Sequence, residues 1–294
     1  MTYILKNKTI ELHIDNPLEN YNFSRFDWTG KIKTVKYKGL LVTGDEKTDP
    51  MEIPHFGRGF YNEFGIDSPI GYQNLKQDDW FHKIGVGLLK KEESEYFFMK
   101  KYEIQPANFE VNVDSENIHC TCESKLHNGY SYLLEKEIRL SGNGFIIKYY
   151  LKNTGKKTII TNEYVHNFMS INKALISEDY KLILNFNMNP QLFRDTVNPD
   201  LVVTFEDNKI NFKSKPKSDF FFSNLSGGKL VDAQWKLENL KNNIGISEKG
   251  DFKTNTINLW GTGHVISPEL FIDINLKAGA SKSWTRTYTI YELT

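Results

Sequence analysis

His166 lies in TNEYVHNFMSIN, residues 161–172, with Tyr164 two positions before it and Phe168 two positions after. Strand residues alternate sides, so Asn162, Tyr164, His166 and Phe168 share one face, and Glu163, Val165, Asn167 and Met169 share the other. An imidazole can move a proton near neutral pH, and flat rings beside it can pack on the C–H groups of a polyhydroxylated ring. Far downstream, SPELFIDINL carries Glu269 directly after Pro268. Pro268 suits a strand start, where its missing donor does little harm. Alternation sends Leu270, Ile272, Ile274 and Leu276 to a core, and turns Glu269, Phe271, Asp273 and Asn275 the other way. An acid and an imidazole facing one groove would be the two groups that open a cyclic hemiacetal. One takes the anomeric hydroxyl proton and the other protonates the ring oxygen. The plainer alternatives are a core histidine bonded to backbone and a solvated acid at a strand end.

The elements that would carry these residues read as strands almost throughout. Residues 3–14 and 31–44 alternate or run apolar with β-branched residues. The turn-rich connection between them, NPLENYNFSRFDWTG, brings Arg25, Asp27 and Trp28 either to a site or to an exposed loop. HFGRGFYNEFGI, residues 55–66, has Gly57, Gly59 and Gly65 for close backbone approach, with Arg58 and Glu63 able to reach a groove. Its glycine spacing is not that of a phosphate loop. Residues 80–91, WFHKIGVGLLKK, read as a strand whose two glycines mark a bulge or a close neighbour. A β meander is expected from 95 to 152, with turns at Leu126–Gly129 and at Gly142-Asn143-Gly144. Strands are expected again at 180–189 and 201–213, with one short helical turn in PQLFRDTVNPD between them. About twenty strand-like runs and almost no helical periodicity predict a large antiparallel sandwich.

Composition narrows the function classes. The chain has 294 residues, 39% of them hydrophobic, with 20 Phe and 15 Tyr, enough for a large core in one all-β domain spanning 1–294. Lys plus Arg and Asp plus Glu balance at 37 each, so no concentrated positive face points to nucleic acid. The N-terminal apolar run is too short for a signal sequence and no apolar stretch is long enough for a membrane helix, which predicts a cytoplasmic protein with no membrane partner. Cys120 and Cys122 are the only cysteines. A bridge across one intervening residue would be strained, and no further ligand pair accompanies them, so two reduced thiols and no metal are expected.

Taken together, TNEYVHNF, SPELFI and the closing LKAGASKSWTRTYTIYEL resemble the galactose mutarotase-like (aldose 1-epimerase) superfamily, and the similarity runs from RFDWTG at 25–30 to the C-terminus. The resemblance implies a β-supersandwich with a sugar in a groove on a concave sheet, and no metal or organic cofactor. It implies His166 as the acid at the ring oxygen, Glu269 as the base at the C1 hydroxyl, and Arg58 and Lys83 as sugar contacts. His82 is the nearest stand-in for a histidine that the family carries in a Leu-His-Gly-Gly segment. The family places a histidine directly after Thr-Asn; Glu163 holds that position here, so either Glu163 or His166 faces the groove, with Asn167 beside it. The implied activity is interconversion of sugar anomers by acid/base ring opening. The alternatives are a sugar-binding protein without turnover and a hexose-phosphate mutarotase with Arg58 and Lys83 on the phosphate.

Overall fold

The computed structural model describes residues 2–67 and 69–293. Among them are 24 strands, all paired antiparallel, and four single 3-10 turns. None of the helical segments is long and apolar enough to cross a membrane. Seven strands form one sheet, running from the edge strand Thr2–Lys6 through Ile10–Asp15, Lys31–Tyr37, Phe60–Phe64 and Ile159–Asn167 to Ile272–Leu276. A ten-stranded sheet lies against it, with Ser281–Glu292 between Gly144–Asn153 and Ile244–Thr254. Phe60 meets Phe145 and Tyr288 edge-on at 5.3 and 4.8 Å, and Phe64 meets Trp284, so aromatic rings from both sheets fill the interface. A four-stranded and a three-stranded sheet complete the molecule.

Several expected strands are shorter than their apolar runs because a side chain or glycine closes a turn inside them. Residues 3–14 divide at Asn7, whose Oδ1 accepts from the Thr9 and Ile10 amides. The 80–91 run is a hairpin, Trp80–Lys83 with Gly87–Lys90, that turns at Gly85 with φ +79. Residues 201–213 likewise fold as Val203–Glu206 and Lys209–Phe212 around Asp207. The meander expected from 95 begins only at Asn108, and Ile104–Pro106 before it pairs back to Gly87–Lys90. The Tyr102 hydroxyl bonds both the amide and the carbonyl of Phe97, closing 97–102 into a loop. The Gly142 turn joins Tyr132–Ser141 to Gly144–Asn153 in the expected place. Cys120 and Cys122 are free thiols buried on one face of Asn117–Glu123.

Candidate active site

The Ile159–Asn167 strand is the centre of the site. It pairs with Phe60–Phe64 on one side and with Ile272–Leu276 on the other, in unbroken register. No bulge interrupts it, so the alternation read from sequence decides which residue faces outward. Asn162, Tyr164 and His166 face a cavity of about 660 Å³. Glu163 faces the opposite way, into the space between the two large sheets, where Arg286 Nη2 donates to its Oε2 at 2.6 Å.

The partner strand explains how His166 meets an acid. Glu163 pairs with Ile272 of the Ile272–Leu276 strand, and Met169 bridges Ile266 of Val265–Leu270, a strand of the four-stranded sheet; the two pairs are six residues apart on both segments. The register is therefore continuous, which sets His166 across from Glu269 and Asn167 across from Pro268. Between those two pairs no backbone hydrogen bond joins the strands among the described residues. Pro268 has no N–H, and the Phe271 amide turns away to Thr256 O. The strands part here, and side chains occupy the gap. His166 Nδ1 lies 2.8 Å from Glu269 Oε1, and Ser267 Oγ touches both groups at 3.2 and 3.3 Å.

The other edge of the imidazole is held from behind. His166 Nε2 is 2.7 Å from Arg25 Nη2 and 2.7 Å from the Tyr164 hydroxyl. A guanidinium only donates, so Nε2 must accept and the ring proton sits on Nδ1, pointed at Glu269. An imidazolium with a proton on each nitrogen does not fit this set of partners. Arg25 is in turn anchored by Glu63 at 3.0 Å and Glu46 at 3.2 Å, and its guanidinium lies 4.6 Å from the ring centres of Phe26 and Phe98. Burial alone would raise the Glu63 carboxyl, but Lys83 and Arg25 outweigh it and hold it below the usual range. Burial and the nearby Glu63 push the Tyr164 phenol far up, so it keeps its proton and donates it to Glu63 Oε2 at 2.6 Å. Tyr164 stacks on Phe271 at 4.3 Å and His166 on Phe168 at 4.8 Å, a flat aromatic band along one wall. Trp260 and Phe221 come from the four-stranded sheet to face it.

The remaining sequence candidates lie away from this cavity, and none of them lines it. Arg58 is partly exposed and bound to Asp45 at 2.6 Å. Lys83 is buried one shell deeper, on Glu63 at 3.1 Å, the Tyr96 hydroxyl and the Gly65 carbonyl. His82 is buried among Tyr132 and His127, and neither ring nitrogen makes a hydrogen bond of good geometry among the described residues. Glu163 and Asn167 occupy the opposite face of their strand from His166. These five were expected to touch substrate; the fold gives them to its interior and to its surface instead. From the sequence Arg25, a charged residue in a turn-rich loop, was open between a site and an exposed loop, and Tyr164 was legible only as a flanking ring. Asp273 followed from the alternation that starts at Glu269. Among the described residues no group of three or more His, Cys, Asp or Glu is arranged to hold a metal ion.

No family model matches this sequence, and no curated protein sequence is similar to it. Solved structures are similar over the full length. A candidate aldose 1-epimerase from Escherichia coli K12 superposes with a TM-score of 0.64 at 9% identity, covering 100% of this chain and 99% of that one. A galactose mutarotase-like protein from Lactobacillus casei gives 0.63 at 13% identity, covering 99% and 100%. A GalM/aldose epimerase homologue from Caenorhabditis elegans gives 0.53 at 11%, covering 100% of both. The architecture is the galactose mutarotase-like supersandwich, shared with these structures at 9–13% identity.

Proposed function

We propose that this chain, whose fold is the galactose mutarotase-like supersandwich, is a carbohydrate-active protein that interconverts the anomers of a free sugar by acid/base ring opening. The observation that carries this reading is the 2.8 Å contact between His166 Nδ1 and Glu269 Oε1 on the wall of a cavity of about 660 Å³. That size suits a small-molecule site, and the wall combines flat aromatic faces with a few polar groups. Glu269 Oε2 has no protein hydrogen bond among the described residues, so it is the free acceptor for the C1 hydroxyl proton. O1 and the ring oxygen are both bonded to C1. One carboxyl edge therefore suffices to take the proton from O1 and return it to the ring oxygen, leaving an open-chain aldehyde. Rotation about C1–C2 and the reverse transfers close the other anomer. His166, with Nε2 capped by Arg25, acts as the Nδ1–H donor that aims and steadies the carboxylate, in place of the ring-oxygen acid that the resemblance implies.

Polarimetry of freshly dissolved α-sugars tests this. We expect Glu269→Gln to slow anomer exchange by about 10²–10⁴-fold and His166→Ala by a smaller factor. A wild-type rate equal to that of the double variant would remove the enzymatic reading. A sugar-binding protein without turnover is the second reading, favoured by the fact that both imidazole nitrogens already have partners. Calorimetric binding without anomer exchange would select it. A sugar phosphate fits poorly. Arg58 and Lys83 are paired off the wall, where six carboxylates (Glu46, Asp67, Asp195, Asp219, Glu269, Asp273) outnumber three cations (Arg25, Lys47, Arg194).

A further inference from the structure

We infer that Asn167, buried behind the site, is the positioning residue that sets the distance between His166 and Glu269; this rests on the reading of that pair given above. Asn167 follows His166 on the central strand and faces away from the cavity. Its Nδ2 donates to Pro268 O at 2.6 Å, across the stretch where the two strands exchange no backbone bonds. The proline offers no N–H there, so the side-chain amide supplies the rung that the backbone lacks. The rest of the amide is held too. Nδ2 also reaches Glu248 Oε2 at 3.0 Å, and Oδ1 accepts from the Tyr288 hydroxyl at 3.0 Å. On the other side of Glu269, Arg286 Nη2 donates to Leu270 O at 2.9 Å while its Nη1 holds Glu248 Oε1 at 2.5 Å. The carbonyls before and after the acid are thus tied to one buried cluster, and the residue after the histidine belongs to the same cluster. Glu269 has little freedom to drift along or away from the imidazole.

The inference predicts a change at His166 that a general loss of packing would not produce. In 15N-labelled protein the His166 Nδ1–H resonance reports the bond to Glu269. In Asn167→Ala, and in the milder Asn167→Ser, that resonance should broaden or move toward solvent-exchanging values while the fold persists by circular dichroism. Anomer exchange should fall about 10- to 100-fold in kcat, with KM changed far less, the signature of misplacement at the reacting centre. Tyr288→Phe, which removes the donor to Asn167 Oδ1 and leaves the Pro268 contact, should keep the wild-type His166 signal. The inference is overturned by folded Asn167 variants with an unchanged His166 resonance, by an equal change in Tyr288→Phe, or by failure of both Asn167 variants to fold. The last result would assign Asn167 to stability alone. The resonance is read without substrate, so a wild-type protein with no mutarotase activity would refute the proposed reaction and still leave this test standing.

Discussion

Single side chains carry two separate kinds of chemistry here, one at the cavity and one hidden from it. His82 belongs to the second kind. Burial first, then the neighbouring His127, lowers its imidazole from 6.5 to about 4. The folded protein therefore refuses a proton that the unfolded chain accepts between those values. The stability this group contributes is full above pH 6.5 and is lost as pH falls toward 4, by roughly 3 kcal/mol at about 1.4 kcal/mol per unit. Urea melts at pH 7.5, 5.5 and 4.5 should show that loss, and His82→Phe should flatten it; an unchanged slope in the variant would refute the assignment. The sequence marked His166 between two aromatic rings and offered His82 only as a stand-in through the family resemblance. What separates them is which ring nitrogens find partners, a property of residues distant in the chain. Arg25 makes the same point from the other direction, since nothing in NYNFSRFDW distinguishes a guanidinium pinned by Glu63, Glu46 and His166 from a solvated one.

At the scale of elements, strand alternation was the most legible signal, and turns inside strands were the least. The period-two pattern of TNEYVHNF and SPELFIDINL picks out Asn162, Tyr164, His166, Glu269, Phe271 and Asp273, all of which line the cavity, although SPELFIDINL is divided between Val265–Leu270 and Ile272–Leu276. The Trp80–Lys90 hairpin was hidden, since the apolar pattern runs across its turn and only Gly85 betrays it. A Cβ on Gly85 would sit 2.1 Å from Asp27 Oδ1, at a φ of +79 that L-residues rarely adopt. Asp27 is committed to Lys136 Nζ at 2.6 Å, so it cannot step aside freely. Gly85→Ala should therefore cost about 2–4 kcal/mol in a urea melt. Exposed Gly142, whose Cβ would meet nothing within 4 Å, serves as the control and should change far less. Equal effects at the two positions would contradict the packing argument.

Across the whole molecule, the two large sheets are joined by a charge cluster as well as by apolar packing. Arg286 bridges Glu163 of one sheet and Glu248 of the other at 2.6 and 2.5 Å, with Trp284 and Trp235 donating to the same two carboxylates at 3.1 and 2.7 Å. Arg286→Met would strand two buried carboxylates and should destabilise by about 3–5 kcal/mol. Tryptophan fluorescence and far-ultraviolet circular dichroism should trace one coincident transition in both proteins, as expected if the chain folds as one unit. Separate transitions would argue for independent parts. By itself the sequence determined an all-β antiparallel protein and which residues of the strands around His166 and Glu269 share a face, because these follow from local alternation and residue chemistry. Only the tertiary structure decided that His166 and not Glu163 meets the cavity, that Arg25 and Tyr164 hold its far nitrogen, and that Arg58, His82, Lys83, Glu163 and Asn167 serve elsewhere. The physical reason is that each of those outcomes is set by partners from other strands. A strand pattern states which way a side chain points, and the register of its neighbours decides what it meets.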